Sequence, residues 1–589
     1  MTGKVVDLRM LSEGDVLAES VAELFNDWNS QRAFWLDEQS EKRNFLFATD
    51  TTKTSNSTLP WKNSTTLPKL TQIRDNLHAN YMAALFPNDQ WLKWEAYTQD
   101  AALKEKRDAI EAYMSNKVRE SSLQETASKL VYDYIDYGNA ICEIIFVNET
   151  KEDIETGELI PGYIGPKLIR ISPLDIVFNP TAPSFEETPK IRRIVKSFGE
   201  LLLERQENPE AGWIDEALKK SQHIRNMAGS FTADDFDKAE GYIIDGFGSL
   251  KQYYQSNFVE ILELTGDIYD PDTETFLKDH VITIIDRRFV VRKQKTPTWL
   301  SKGTMYHVGW RGRPDNLYAM GPLDNLVGMQ YRIDHLENLK ADVFDFIAFP
   351  PLKIIGEVKE FVWAPGAEIH IDEGGDVQML RPDATALNAD FQINLLQQQM
   401  EEFAGAPKEA MGIRTPGEKT AFEVQSLQNA AGRIFQEKII NFEMMLEKAL
   451  NAMLEVARRN FEGSDTVRVL DDDLGVEQFI KITKDDITAS GKLRPIGARH
   501  FAVQAQLIQN LTGIFNSSLG QVIAPHISTK KLARLVESLF KVERFELVED
   551  NIGIIEQLET QGIIQQGGED LEVERTVDET LQQDTTEIL

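Results

Sequence analysis

From Leu70 to Phe86 apolar residues stand four apart, at Ile73, Leu77, Tyr81 and Leu85, and that spacing predicts a helix closed by Pro87. Two more helices are expected at about 102–118 and 125–137, the second stopping at Gly138. There the period changes. ICEIIFV, YIGPKLIRI, DIVFNP and IRRIVKSF read as short strands separated by turn residues, and charged helical segments follow over 199–240. FVEILELTGDIY, HVITIIDRRFVVRKQ and TMYHVGW then predict a second, antiparallel set with a hairpin tip at DPDTE, the whole sheet mixed in its partners. Ahead of all this, residues 1–66 read as a helix and then the polar loop TDTTKTSNSTLPWKNSTT, a segment expected to wrap a neighbour or lie on the surface.

After Gly321 the pattern turns helical again. Pro322 suits a first turn, and Leu326, Met329, Ile333, Leu336, Leu339, Val343 and Ile347 recur three or four apart until the Pro350, Pro351 pair. LKIIG, EFVWAP, AEIHID and VQMLRP form a small β unit, 385–404 is helical, and the basic loop FAGAPKEAMGIRTPGEKT leads into a long amphipathic helix. Thr415 and Glu418 make a capping box there, with Val424, Leu427, Ala431, Ile434, Ile439, Phe442, Leu446, Ala449, Met453 and Val456 on one seam. About 45 residues at roughly 1.5 Å each span about 65 Å, a length typical of elements that pack against copies of themselves. Gly432 is a candidate kink. Two strands, TVRVLD and QFIKITKDDI, precede helices at about Pro495–Asn516 and Lys530–Leu539 and an acidic tail.

Composition narrows the function. With 589 residues, 42% of them hydrophobic, the chain can bury a large core across several domains. Its 95 Asp and Glu against 63 Lys and Arg give −32, so any contact with nucleic acid must be local. Cys142 is the single cysteine, which excludes an internal disulfide and a cysteine-rich metal site and fits a reducing cytosol. No apolar run approaches the roughly 18 residues that a membrane span needs, and MTGKVVDLRMLSEGDV lacks the apolar core of a signal peptide.

The search for chemistry is negative. In GIRTPGEKT, which holds Gly412, Gly417 and Thr420, Glu418 separates the glycine from Lys419 and the loop follows a helix, so it is a helix cap rather than a phosphate cradle. GFGS at 246–249 lacks the context of a dinucleotide site, and neither GxSxG nor HExxH occurs. The histidines are scattered singly, with His307 and His335 read as structural. Asp267, Asp270, Asp272 and Glu274, and likewise Asp471, Asp472 and Asp473, read as solvated hairpin tips without calcium-loop spacing. Cys142 lies in a run that reads as a buried strand, where a thiol is inert. No catalytic residue, metal or cofactor is expected, and the chain reads as a structural component and not an enzyme.

Four segments in order, YGNAICEIIF at 137–146, ISPLDIVFNP at 171–180, YAMGPLDNLVGMQYRID at 318–334 and PGEKTAFEVQ at 416–425, resemble the portal, or head-to-tail connector, proteins of tailed bacteriophages, particularly the short-tailed kind. The likeness covers about 70–540. It implies an α+β, mainly α, portal fold of wing, stem, clip and crown, closed into a cyclic homo-oligomer, a dodecamer in that family. Its map here would be an N-terminal arm (1–66), wing (67–320), stem helix (321–347), clip (348–383) and second stem helix (384–403). A tunnel loop (404–415), a long kinked helix with wing strands (416–494), crown helices (495–545) and an acidic tail (546–589) would complete it.

The resemblance further implies a conduit for DNA packaging and genome ejection at one capsid vertex of the virion, assembled in the host cytoplasm. The partners would be double-stranded DNA without sequence specificity, the terminase large subunit, head–tail adaptor or tail proteins, and the major capsid and scaffolding proteins; no membrane is expected. Lys408, Arg414 and Lys419 would touch phosphates from the tunnel loop, or else cap the helix and pair with Glu409 and Glu418. Phe361, Val362 and Trp363 would join subunits through the clip and meet terminase or adaptor, the alternative being a plain hairpin of the main fold. Leu427, Ile434, Phe442 and Leu446 would pack the long helix in the ring. Another virion structural protein, or a nucleic-acid motor enzyme, are the competing classes.

Overall fold

The computed structural model describes residues 4–8, 14–87, 91–97, 104–152, 159–207, 209–226, 258–296, 303–356, 370, 374–380, 388–404, 421–461, 464–471, 476–488 and 490–496. All of 227–257, the stretch from 497 in which the last helices are expected, and the acidic tail lie outside them. In chain order the elements begin with β1 (Val5–Asp7), α1 (Gly14–Gln31), α2 (Ala33–Leu46), α3 (Lys69–Leu85), β2 (Leu92–Ala96), α4 (Lys104–Glu120) and α5 (Leu123–Asp136). Next come β3 (Asn139–Glu152), β4 (Leu159–Ile171), β5 (Ile176–Phe178), β6 (Lys190–Ser197), α6 (Phe198–Glu207), α7 (Asp215–Asn226), β7 (Phe258–Asp270), β8 (Thr275–Ile285) and β9 (Phe289–Lys295). They continue with β10 (Met305–Gly309), β11 (Arg311–Arg313), β12 (Asn316–Met320), α8 (Val327–Ala348), β13 (Leu352–Ile355), β14 (Asp376–Met379) and α9 (Ala389–Phe403). The last are α10 (Ala421–Asn460), β15 (Ser464–Asp471), β16 (Val476–Thr483), α11 (Lys484–Ile487) and β17 (Gly491–Pro495). The chain is α+β, as expected.

The main core forms where α3, α4 and α5 meet the inner face of β3 and the C-terminal half of α10. Ile73, Leu77, Tyr81 and Leu85, the stripe that defines α3, are all buried in it. Strand β3 lies between β10 and β4, and its alternation sends Ala140, Cys142 and Ile144 into this core and Ile141 to the other side, beside Ile171 and Phe178. The larger sheet runs β5-β6-β7-β8-β9, with α1 on one face and α6 and α7 on the other. β1 pairs parallel to β7 at Asp267–Tyr269, just past the point where β6 stops at Thr265, so the sheet is mixed as expected. The N-terminal region is therefore built into the body: Leu17, Val21 and Phe25 of α1 are core residues, not surface wrapping.

Three features differ from expectation. HVITIIDRRFVVRKQ is not one strand but β8 and β9, turned at Asp286 and Arg287, both with φ near +54 and +53. Arg288 N–H donates to Ile285 O at 3.0 Å, closing a two-residue turn of the primed type that ordinarily calls for Asn or Gly. Arg287 is held in it by a bidentate pair with the fully buried Glu260, 2.8 Å on each arm, and Asp286 accepts from Ser221 Oγ at 2.8 Å. Second, β2 and β17 form an antiparallel pair, Leu92↔Pro495 to Ala96↔Gly491. Third, the helix expected over 321–347 starts at Val327, because Asp324–Leu326 make a tighter turn first, and the one expected over 384–403 starts at Ala389 among the described residues.

Gly138 follows the last turn of α5 with φ +69, and a Cβ there would sit 2.4 Å from Gly321 N and Met320 C. Asn139 makes the crossing polar-complete: its Nδ2 donates to Tyr137 O and Ala319 O, and its Oδ1 accepts from Ala319 N at 2.9 Å and faces His307 Nε2 at 2.9 Å. Both backbone stretches come from segments that carry the portal resemblance. Gly138→Ala meets a left-handed backbone and a main-chain clash together, so we expect a loss of about 2 kcal/mol or more in urea unfolding.

Between the two sheets Arg192 of β6 reaches Glu143 of β3 at 2.7 Å, and beyond it Arg292 pairs with Glu263 at 2.8 Å. Burial outweighs the attraction of Arg192 and pushes the Glu143 carboxyl from an ordinary 4.5 up to about 7. The folded chain thus binds a proton there that the unfolded chain lacks. That contribution to stability is complete below pH 4.5 and is lost as pH rises through 7. Glu143→Gln should raise stability at pH 8 and flatten its pH dependence between 5 and 8, measured by chemical denaturation at each pH.

Candidate assembly surface

α8 begins in the body and leaves it. Leu326, Ile333 and Leu336 are buried, whereas Leu339, Phe344, Phe346, Ile347 and Phe349 are exposed, so the apolar stripe read from sequence runs out of the core halfway along the helix. Residues 344–349 are exposed at every position, on all sides of the helix. α9 returns beside it, joined by Lys340 of α8 to Asp390 at 2.7 Å, Lys340 also pairing with Glu337 on its own helix at 3.3 Å, and α9 exposes Phe391, Leu395 and Phe403.

β13 and β14 make the hairpin between these helices. Leu352 pairs with Met379 and Ile354 with Val377, and alternation places these four on one face, with Lys353, Gln378, Ile355 and Asp376 on the other. Ile354, Ile355, Met379 and Leu380 are about half exposed. Among the described residues this sheet has two strands only. A lone hairpin of this kind is marginal in water, and a continuous exposed apolar surface marks a contact with another protein surface.

Phe361, Val362 and Trp363 lie outside the described residues, as do Lys408, Arg414 and Lys419. Leu427 and Ile434 stand on α10, but their side chains are outside the described set. Phe442 and Leu446, expected to pack the long helix in a ring, are fully buried in the subunit's own core, Phe442 edge-on to Tyr134 with centroids 5.4 Å apart. The seam from Ile439 onward packs on β3, β4, β10 and β17 of the same chain. α10 is continuous through Gly432.

The candidate chemical groups are spoken for locally. Cys142 is buried with its thiol pushed up to about 12 by burial, against Met445 Sδ at 3.4 Å. His307 is half-buried and held down to about 4 by desolvation, and His335 lies tilted against Trp61 with centroids 4.4 Å apart. Asp270 accepts from Asp272 N and Thr273 Oγ1 within its own turn, and Asp267 accepts from Asp279 N. Among the described residues no three His, Cys, Asp or Glu side chains gather as a metal set, and no helix is long and apolar enough to cross a membrane.

A scan against known protein families matches none over this chain, and a search of curated proteins finds no match. If the helix–hairpin–helix surface is where copies meet, Ile354→Asp with Leu380→Asp should leave the circular dichroism spectrum unchanged and shift the protein to lower mass in light scattering after gel filtration.

Proposed function

We propose that this chain is a portal subunit, one copy of a ring that forms the conduit for double-stranded DNA at a single capsid vertex of a tailed phage. The observation that carries the reading is the unit from α8 through the hairpin to α9, which, among the described residues, exposes apolar side chains all round a helix end. In a ring each copy would cover its neighbour, which is the arrangement that buries such a surface without limit on either side. The order helix, small β unit, helix, basic loop, long helix supports the same reading, as do the glycine crossing and Asn139 inside the resembling segments.

Terminase, adaptor or tail proteins, and the capsid and scaffolding proteins would be its partners, and it would carry out no hydrolysis. Its net charge of −32 suits a channel that must not hold a polyanion, since each neutralised phosphate adds to adhesion. Lys408 and Arg414 would be the local exceptions at the constriction.

The purified protein should appear in negative stain as a closed ring with an axial hole; a monomer at every concentration overturns the reading. Lys408→Ala with Arg414→Ala should leave rings intact and reduce packaged DNA, and unchanged packaging would assign those residues to helix capping. A different virion component would label the particle away from a single vertex in immuno-electron microscopy.

A further inference from the structure

The loop between α2 and α3 is bound to α8 by side chains that stand in for a strand. Asn338, fully buried, accepts from Thr65 N at 2.8 Å and donates to Thr65 O at 2.7 Å, the two bonds a ladder neighbour would make. One turn earlier Asp334 accepts from Leu67 N at 2.9 Å and from Thr66 Oγ1 at 2.8 Å. One turn earlier still Gln330 donates to Leu67 O and accepts from Leu70 N at 3.1 Å. One turn later Asp342 accepts from Lys62 N and Asn63 N, each at 3.0 Å, and Asp345 from Asn63 Nδ2 at 3.1 Å. The spacing of four keeps Gln330, Asp334, Asn338 and Asp342 near one line of the helix, so residues 62–67 run extended along it.

Both ends of this strap are fixed in the body. Phe45 and Leu46 upstream and Leu70 and Ile73 downstream are core residues, and Thr51 N–H donates to Ser64 O at 3.0 Å across the loop. The last buried residue of α8 is Asn338, yet the strap still holds Asp342 and Asp345. It therefore grips the helix one to two turns, roughly 6–10 Å, beyond the point where the core lets go.

We infer that residues 62–67 are a splint that fixes the direction in which α8, and the β13–β14 hairpin it carries, leaves the body. The carbonyls and N–H groups of the strap that meet α8 are satisfied at one pitch of that helix, so a swing of the helix would strand the buried side chains of Gln330, Asp334 and Asn338 together. The stalk, α8 with its β13–β14 hairpin, then moves with the body as one piece. This goes beyond the ring reading and holds for a single copy.

The test is a spin-label distance between Lys353→Cys on the hairpin and Lys129→Cys on α5, in the full chain, with labelled protein diluted into unlabelled. Cys142 is buried and stays unlabelled, so it needs no replacement. The parent should give one narrow distance distribution. Asn338→Ala with Asp342→Ala should at least double its width or add a second population. If that pair does not fold, Asp342→Ala alone, at a position that is not buried, should broaden the distribution in the same direction. A distribution as narrow as the parent's in a folded variant overturns the splint, whether or not the protein forms rings.

Discussion

The fold turns on two glycines that touch. Where α5 hands over to β3, and β12 to α8, main chain passes main chain with no room for a side chain at Gly138 or Gly321. Everything on either side is registered from that crossing. Gly138 O takes the N–H of Trp310 at 2.8 Å, and the Trp310 indole donates to Tyr81 of α3 at 2.9 Å. Gly321 N–H donates to Asp324 at 2.7 Å, and Asp324 is the partner of the buried Lys42 on α2. The crossing thus ties the helical core to the first residues of the helix that carries the exposed apolar unit. Lys42 and Asp324 would be a liability apart, and removing either leaves a buried charge without its counterpart.

Body and stalk follow opposite physics. In the body, buried charges and the crossing amide are held by partners: Glu260 with Arg287, Asp133 with Arg170, Asn139 with four groups around it. Past Asn338 the chain does the reverse, leaving phenylalanines and isoleucines in the open while its polar face is occupied by the strap. A helix whose polar side is covered and whose apolar side is bare is turned inside out relative to water. That inversion, seen among the described residues, is independent of any family likeness.

Much of the body was legible because period carries it. The four-residue stripe of α3 and the alternation of β3, β6 and β7 follow from burial on one face. The turn at Asp286 and Arg287 was not legible, since its left-handed backbone is stabilised by Glu260, a residue on another strand, and no Asn or Gly announces it. The strap was invisible for a related reason. A polar loop reads as surface, and its Thr, Asn and Lys gain their order from carboxylates and amides on a helix some 270 residues away. α10 misled in another way: its seam is real, but a long apolar seam does not say whether its cover comes from the same chain. Of the candidate site, the order of elements was legible, the exposure of its side chains was not, and the loop residues chosen for DNA contact lie outside the described set.

The pairing of β2 with β17 has a consequence for synthesis. At translation speeds on the order of 5–20 residues per second, the partner of Leu92–Ala96 leaves the ribosome tens of seconds after it, because about 400 residues separate them. During that wait Trp94 and its neighbours have no sheet to join, and the growing polypeptide carries an unclosed edge. A chaperone that shields short apolar strands, or slow decoding after about residue 100, would change the yield of this protein more than its final stability.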